Sequence, residues 1–139
     1  VFDCSFEEEQ QAPLRLADSV KRYLYEPNAS IMKAGAFKCI AERFGVKKLQ
    51  VNSHLYVADT YVSDFPGRGF QIEEVLHFSG KLCKTLAKDW PQANIAIRNF
   101  PLTAEELRKR TRIKDGGDIY LFGTTLWNGD KVLLITRKA

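Results

Sequence analysis

Residues 98–138 read RNFPLTAEELRKRTRIKDGGDIYLFGTTLWNGDKVLLITRK and carry most of the information about fold class. The stretch predicts a strand end, a capped basic helix, a Gly-Gly turn and a β-hairpin. It contains no catalytic triad, metal-ligand cluster or phosphate-binding loop. This combination is typical of a surface that holds a polyanion rather than of a pocket that performs chemistry.

Specific residues mark the turns of this stretch. Thr103 followed by Glu106 is a capping box and predicts the start of the helix. Gly116-Gly117 can supply positive φ angles after the helix. Asn128-Gly129 lies between two β-rich runs and predicts a hairpin with a type I′ turn.

Cationic residues crowd the C-terminal end of the helix, where its dipole favours positive charge. Residues 98–114 carry six basic and two acidic side chains. A solvated helix end explains such a pattern without any partner. The local excess, the neighbouring glycines and the basic composition favour a surface that contacts a phosphate backbone. The candidate nucleic-acid-binding residues are Arg98, Arg108, Lys109, Arg112 and Lys114.

The N-terminal part predicts smaller elements. Pro27 disfavours helix for the residue before it, Asn28 is a good N-cap, and Gly45 is a helix end. The predicted elements are a half-buried strand at 2–7, a short helix at 16–25, a helix from 28 to 43, and strands at 49–51 and 55–57.

A loop at 64–69, rich in Pro and Gly, divides the chain. We expect a first subdomain at 1–65 and a second unit at 66–139. The sequence of the second unit predicts the element order β-α-β-α-β-β. Its first helix is capped by Ser79, and its strands lie at 70–78, 94–100, 119–127 and 131–137. The fold class is therefore α+β, with helices packed on a mixed sheet and a smaller N-terminal α+β subdomain.

Composition limits the possible functions. The 139 residues carry a net charge of +4, and 45% are hydrophobic, as in globular domains. No apolar stretch is long enough to span a membrane and no signal peptide is visible, so we expect a cytoplasmic protein. The chain begins with Val inside an apparent strand, which suggests a piece of a longer protein.

The potential metal ligands are scattered. Cys4, Cys39 and Cys83 lie far apart, without zinc-site spacing, and we expect small buried thiols in a reducing compartment. His54 and His77 have no partner at helical ligand spacing. The sequence therefore predicts no metal site and no acid–base residue.

Four segments together carry a family resemblance: YLYEPNASIMKAGAFK (23–38), SHLY (53–56), DFPGR (64–68) and RNFPLTAEELRKR…KDGGDIYLF (98–122). They resemble the C-terminal region of Bacteroidetes-type class I S-adenosylmethionine-dependent methyltransferases. In that family a Rossmann-like catalytic domain precedes a ferredoxin-like segment and a THUMP-like domain. The resemblance covers nearly the whole chain. It implies that residues 1–65 are the ferredoxin-like or connecting subdomain and that residues 66–139 are the THUMP-like domain.

The resemblance implies a methyltransferase parent whose catalytic domain is absent from this chain. S-adenosylmethionine is then expected for that missing domain, with no cofactor and no catalytic residue in this chain. The implied partners are structured RNA such as tRNA, because THUMP domains are associated with RNA capture, and the methyltransferase domain in cis.

The alternative is a protein-interaction or dimerisation module of a methyltransferase with a non-RNA substrate, in which an acidic N-terminal strand and a sheet edge pair with another chain. Salt separates the two hypotheses, because phosphate binding weakens steeply as salt rises and apolar pairing does not.

Overall fold

The computed structural model describes residues 2–139, which form five helices and seven strands in one sheet. In chain order these are α1 (Phe6–Gln11), β1 (Tyr23–Pro27), α2 (Ala29–Ala34), α3 (Phe37–Phe44), β2 (Lys47–Gln50), β3 (Ser53–Ala58), β4 (Gly67–His77), α4 (Gly80–Asp89), β5 (Asn94–Arg98), α5 (Ala104–Thr111), β6 (Ile119–Thr125) and β7 (Lys131–Lys138). The strand order is β2-β3-β1-β4-β7-β6-β5. Strands β5 and β6 pair in parallel and the other pairs are antiparallel, so the predicted α+β class with a mixed sheet is confirmed.

The C-terminal half follows the predicted order β-α-β-α-β-β. Ser79 caps α4, since its hydroxyl accepts from the backbone N–H of Leu82 at 3.1 Å. Strands β6 and β7 pair from Ile119 opposite Arg137 to Thr125 opposite Lys131. The hairpin is therefore confirmed.

The predicted type I′ turn is wrong. That turn needs positive φ at two successive residues, but at the hairpin tip Gly129 has a φ of 90° and Asn128 is not among the positive-φ residues. Leu126 and Asp130 instead close a three-residue loop through a 2.9 Å backbone hydrogen bond. The Asn128 side chain accepts from the Asp130 N–H at 3.1 Å, so Asn128 stabilises the loop without adopting a left-handed conformation.

The strand predicted at 2–7 is wrong as well. Helix α1 begins at Phe6, because Ser5 and Glu8 form a capping box with two 3.1 Å hydrogen bonds. Local capping therefore outweighs the alternation of apolar and polar residues.

The helix predicted at 16–25 is also wrong, because residues 23–27 form the buried strand β1, which pairs with β3 and β4. Leu24 and Tyr25 are buried on its two faces. The predicted Asn28 cap is confirmed, but Gly35, with a φ of 69°, divides the predicted long helix into α2 and α3.

The sheet buries side chains on both faces. One face packs against α2 and α3 around Tyr25, and against α4 and α5 around Leu121. On the other face, Leu24 and Leu55 from the first half contact the same cluster as Phe122 from the second. The sheet therefore curls until its two ends approach each other. Within residues 2–139, no helix has the length and apolar character needed to cross a bilayer.

Candidate nucleic-acid interface

Helix α5 is held in place by its cap and by one buried side. The Thr103 hydroxyl accepts from the Glu106 N–H at 3.1 Å, and the Glu106 carboxylate accepts from the Thr103 N–H at 3.0 Å. Leu107 and Thr111 are buried. The opposite side of the helix therefore faces solvent with its cationic residues.

The chain leaves α5 through a residue with unusual backbone geometry. Arg112 has a φ of 62°, a left-handed conformation that most side chains avoid. The next residues form a short bridge, in which the Ala93 N–H donates to the Lys114 carbonyl at 2.9 Å and the Lys114 N–H donates to the Pro91 carbonyl at 2.9 Å. This bridge fixes the backbone of the turn that contains Arg112 and Lys114, which we call the basic turn.

Three of the five predicted binding residues lie together and face solvent. Lys109, Arg112 and Lys114 are exposed and have no ion pair with another residue of the described range 2–139. Arg110, which the prediction omitted, is exposed between them. A surface groove of about 410 Å³ runs along this end of α5. These side chains are free to contact an anionic partner.

Arg108 differs from these three because its side chain is partly buried and hydrogen-bonded within the protein. Its guanidinium donates to the backbone carbonyls of Ile113 at 2.9 Å and Ala93 at 3.3 Å, and to the Asp115 carboxylate at 3.2 Å. Only 29% of its side chain is exposed. Arg108 therefore links the end of α5 to the backbone just before β5.

Arg98 lies away from the other four predicted residues. It alternates along β5 with Ile97, which faces the α4–α5 layer, so Arg98 faces the opposite side of the sheet. There its guanidinium donates to the buried carboxylate of Glu26, which also accepts from Arg68 at 2.7 Å. Burial raises the pKa of Glu26, but the bonds from Arg98 and Arg68 outweigh it and hold that pKa below its usual value.

Sequence reasoning missed a second row of cations. Lys81, Lys84 and Lys88 lie on α4 at spacings of three and four residues and are exposed. Helices α4 and α5 pack together around the buried Cys83 thiol. Burial raises the pKa of this thiol above its usual value, and the nearby Arg110 offsets only part of that increase. The i, i+3, i+7 spacing of these lysines in the sequence could have predicted that they share one face of a helix. We call the combined surface the basic helix face; its residues are Lys81, Lys84, Lys88, Lys109, Arg110, Arg112 and Lys114.

The structure also corrects the prediction for the cysteines. Cys4 and Cys39 form a disulfide bond across 35 residues of sequence, and Cys83 is a buried free thiol. The expectation of three unpaired thiols is therefore wrong, because docking of the N-terminal segment on α3 brings distant residues together. Among the described residues, Cys4, Glu9 and Cys39 are the group whose ligand atoms all lie within 4.8 Å of one another.

Comparisons with known proteins divide the chain into two matches. Residues 23–66 match a family of ferredoxin-like domains, and residues 67–138 match a family described as THUMP domain-like. The crystal structure of a protein from Porphyromonas gingivalis W83, provisionally described as a methyltransferase, is 49% identical and superposes with a TM-score of 0.96. That match covers 99% of this chain but only 34% of the other. The search of curated proteins returned no match.

Proposed function

The chain belongs to the THUMP domain-like family, and on that premise we propose that it is the RNA-binding accessory region of an S-adenosylmethionine-dependent RNA methyltransferase. In this proposal it holds structured RNA, such as tRNA, and presents one nucleotide to a catalytic domain elsewhere in a longer polypeptide. The proposed location is the cytoplasm, where such RNA is found.

The observation that carries the proposal is the basic helix face. Seven exposed cations project from the adjacent helices α4 and α5 and from the turn that follows α5. Lysine and arginine side chains that neutralise phosphates supply most of the sequence-independent affinity for nucleic acid. Such contacts position the RNA without specifying a base, so we assign recruitment to this surface and base selection to another part of the enzyme.

The methyltransferase part of the proposal has separate support. The protein from Porphyromonas gingivalis is described provisionally as a methyltransferase, and this chain spans about a third of its length. The present sequence lacks a glycine-rich strand-to-helix loop of the kind that holds a nucleotide-like cofactor. We therefore place S-adenosylmethionine in the remainder of the enzyme.

The alternative, pairing through an N-terminal strand, loses its basis because residues 6–11 form a helix. Strand β5 still leaves a sheet edge for a protein partner, whereas the outer edge of β2 is partly covered because Lys48 pairs with residues 15–17. Such pairing would depend on backbone hydrogen bonds and apolar contacts, and it would persist at high salt.

The test is tRNA binding by a variant that removes three exposed cations. Lys109→Gln, Arg112→Gln and Lys114→Gln together remove three charges while sparing Arg108, which supports the fold. We expect affinity to fall about ten-fold or more at moderate salt, and the slope of log affinity against log salt to decrease by about two to three units.

A matched control removes the same charge from another surface. Arg15, Lys33 and Lys47 are exposed and lie outside the basic helix face. Changing these three to Gln should leave the affinity within about two-fold of wild type. Equal affinities for wild type and the first variant at two salt concentrations, with unchanged circular dichroism, would show that the basic helix face is an ordinary solvated surface.

A further inference from the structure

Three potential metal ligands meet where the N-terminal segment contacts α3. Cys4 and Cys39 are joined by a disulfide bond with their Cα atoms 6.5 Å apart. A Glu9 carboxylate oxygen and both sulfur atoms lie within 4.8 Å of one another. Neither the THUMP-like assignment nor the proposed RNA surface involves this cluster.

Glu9 is held rigidly in this position. Its carboxylate accepts from the backbone N–H groups of Lys38 at 3.0 Å and Cys39 at 2.8 Å. Glu9 therefore caps α3 from a distant part of the sequence, since the N-cap residue Ala36 has no side-chain acceptor. Each carboxylate oxygen keeps a second lone pair that could bind a cation.

The chemistry of the cluster changes when the disulfide is reduced. A dithiol reductant transfers two electrons and two protons to the two sulfurs, becoming a disulfide itself and leaving thiols at Cys4 and Cys39. Two thiolates and one carboxylate are a donor set that suits zinc, with Zn–S bonds of about 2.3 Å and Zn–O bonds of about 2.1 Å. Tetrahedral coordination places two such sulfurs about 3.8 Å apart, which a Cα separation of 6.5 Å allows.

We propose that the reduced Cys4–Cys39 pair and Glu9 form a zinc-binding site with one open coordination position. On binding Zn²⁺, the two thiols each lose a proton to solvent and become thiolate ligands. The metal then replaces the covalent bond as the link between the N-terminal segment and α3.

Charge balance supports the site. Two thiolates and one carboxylate carry three negative charges, and Zn²⁺ neutralises two of them. The N-terminal end of α3, whose backbone N–H groups bind Glu9, offsets part of the remaining negative charge.

The space beside the cluster suits an open site. Cys39 lines a cavity of about 300 Å³ on one side, and Cys4 lines another of about 220 Å³. A water molecule can therefore reach the metal and complete a four-coordinate shell. No residue of α1 is buried, so the link at Cys4 and Cys39 matters for keeping this helix docked.

The experiment is metal titration of the chain after reduction with a phosphine and removal of the reductant without air. Co²⁺ reports thiolate ligation through a sulfur-to-metal charge-transfer band, and Zn²⁺ affinity is measured by competition with a chromophoric chelator. We expect one metal per reduced chain and none per oxidised chain. Cys4→Ser and Glu9→Gln should each weaken Zn²⁺ binding about ten-fold or more.

Cys83→Ser is the matched control, because Cys83 is a buried thiol in a different cluster. It should bind metal as wild type does. The proposal is overturned if the reduced wild type binds less than stoichiometric Zn²⁺ at micromolar concentrations, or if Cys4→Ser or Glu9→Gln binds as tightly as wild type. Circular dichroism of each variant checks that α3 and the sheet remain folded.

Discussion

Glu26 on β1 and Arg98 on β5 form an ion pair, although three strands separate β1 from β5 in the sheet. The pair forms because the sheet curls and brings its two halves together. Next to it, the Ser53 hydroxyl donates to the Thr125 carbonyl at 2.8 Å, and the Asn99 amide donates to the Ser53 hydroxyl at 3.1 Å. These polar contacts join the two halves of the sheet on the face that also holds the apolar cluster around Phe70 and Phe122.

Replacing Glu26 should therefore reduce stability in a pH-dependent way. Glu26→Gln removes a charge that two arginines stabilise. We expect the free energy of unfolding to fall by about 1–2 kcal/mol at pH 7. This is less than for a fully buried ion pair, because both arginines are partly exposed to solvent. The pKa of Glu26 in the folded state lies below 4.5, its value in the unfolded chain. The ionised carboxylate therefore stabilises the fold fully above pH 4.5, and this stabilisation is lost as pH falls through the folded-state pKa.

Urea unfolding of wild type and Glu26→Gln at pH 3, 5 and 7 measures this difference. The gap between the two proteins should shrink toward pH 3. Glu73→Gln is the control, because Glu73 pairs with Arg137 at 3.4 Å in a more exposed position. A constant gap at all three pH values would contradict the assignment.

Lys48 should make stability rise at alkaline pH. Its ammonium donates to the Val51 carbonyl at 2.6 Å and lies 4.8 Å from the centre of the Phe37 ring. Burial lowers its pKa to about 8, against 10.5 in the unfolded chain. Because the unfolded state holds the proton more strongly, the Lys48 contribution to stability increases as pH rises from about 8 to 10.5.

Comparison with Lys48→Met isolates this effect, since other titrating groups are common to both proteins. Between pH 7 and 10 the unfolding free energy of wild type should increase relative to that of Lys48→Met. Lys47→Met, at an exposed neighbouring position, should show no such change. Parallel pH profiles for wild type and Lys48→Met would exclude a depressed lysine pKa.

Arg108 should contribute to stability rather than directly to RNA affinity. Arg108→Ala removes hydrogen bonds to the carbonyls of Ala93 and Ile113, and we expect a loss of about 1–2 kcal/mol. Arg110→Ala changes an exposed side chain on the same helix and should cost less than about 0.5 kcal/mol. Thermal and urea unfolding check both; equal stabilities would show that the Arg108 bonds contribute little.

Gly67 should tolerate no side chain. A Cβ atom there would lie 2.0 Å from the Glu26 backbone carbonyl oxygen, at the point where β4 pairs with β1. Gly67→Ala must move a backbone strand, and we expect a loss of about 2 kcal/mol or more. Gly80→Ala is the control, because a Cβ at Gly80 meets nothing within 4 Å, so its stability should be within about 0.5 kcal/mol of wild type.

The chain alone should not bind S-adenosylmethionine, since it has no glycine-rich loop between a strand and a helix. Calorimetry at micromolar protein should show no binding heat. A clear, saturable heat would place cofactor binding within this chain. It would overturn the proposal that S-adenosylmethionine binds elsewhere in the enzyme.

Local signals in the sequence predicted much of the second half. Capping at Ser79 and Thr103 and the alternating runs on either side of Asn128-Gly129 depend on neighbouring residues, so they can be recognised without tertiary information. The same local rule applied at Ser5 and Glu8 would have identified α1, where the strand prediction was wrong.

The candidate interface was predictable only in part. The exposed cations at Lys109, Arg112 and Lys114 follow from the composition of one helix end. The roles of Arg98 and Arg108 do not, because they depend on a carboxylate and on carbonyls that lie elsewhere in the sequence.

By itself, the sequence determined the α+β class, the order of elements after residue 66, and the basic end of α5. These features come from short-range preferences: capping hydrogen bonds, residue periodicity and turn propensity. Tertiary structure alone decided that residues 23–27 form a buried strand, that Glu26 meets Arg98, and that Cys4 meets Cys39. Those outcomes depend on contacts between distant segments, in which burial outweighs local preference.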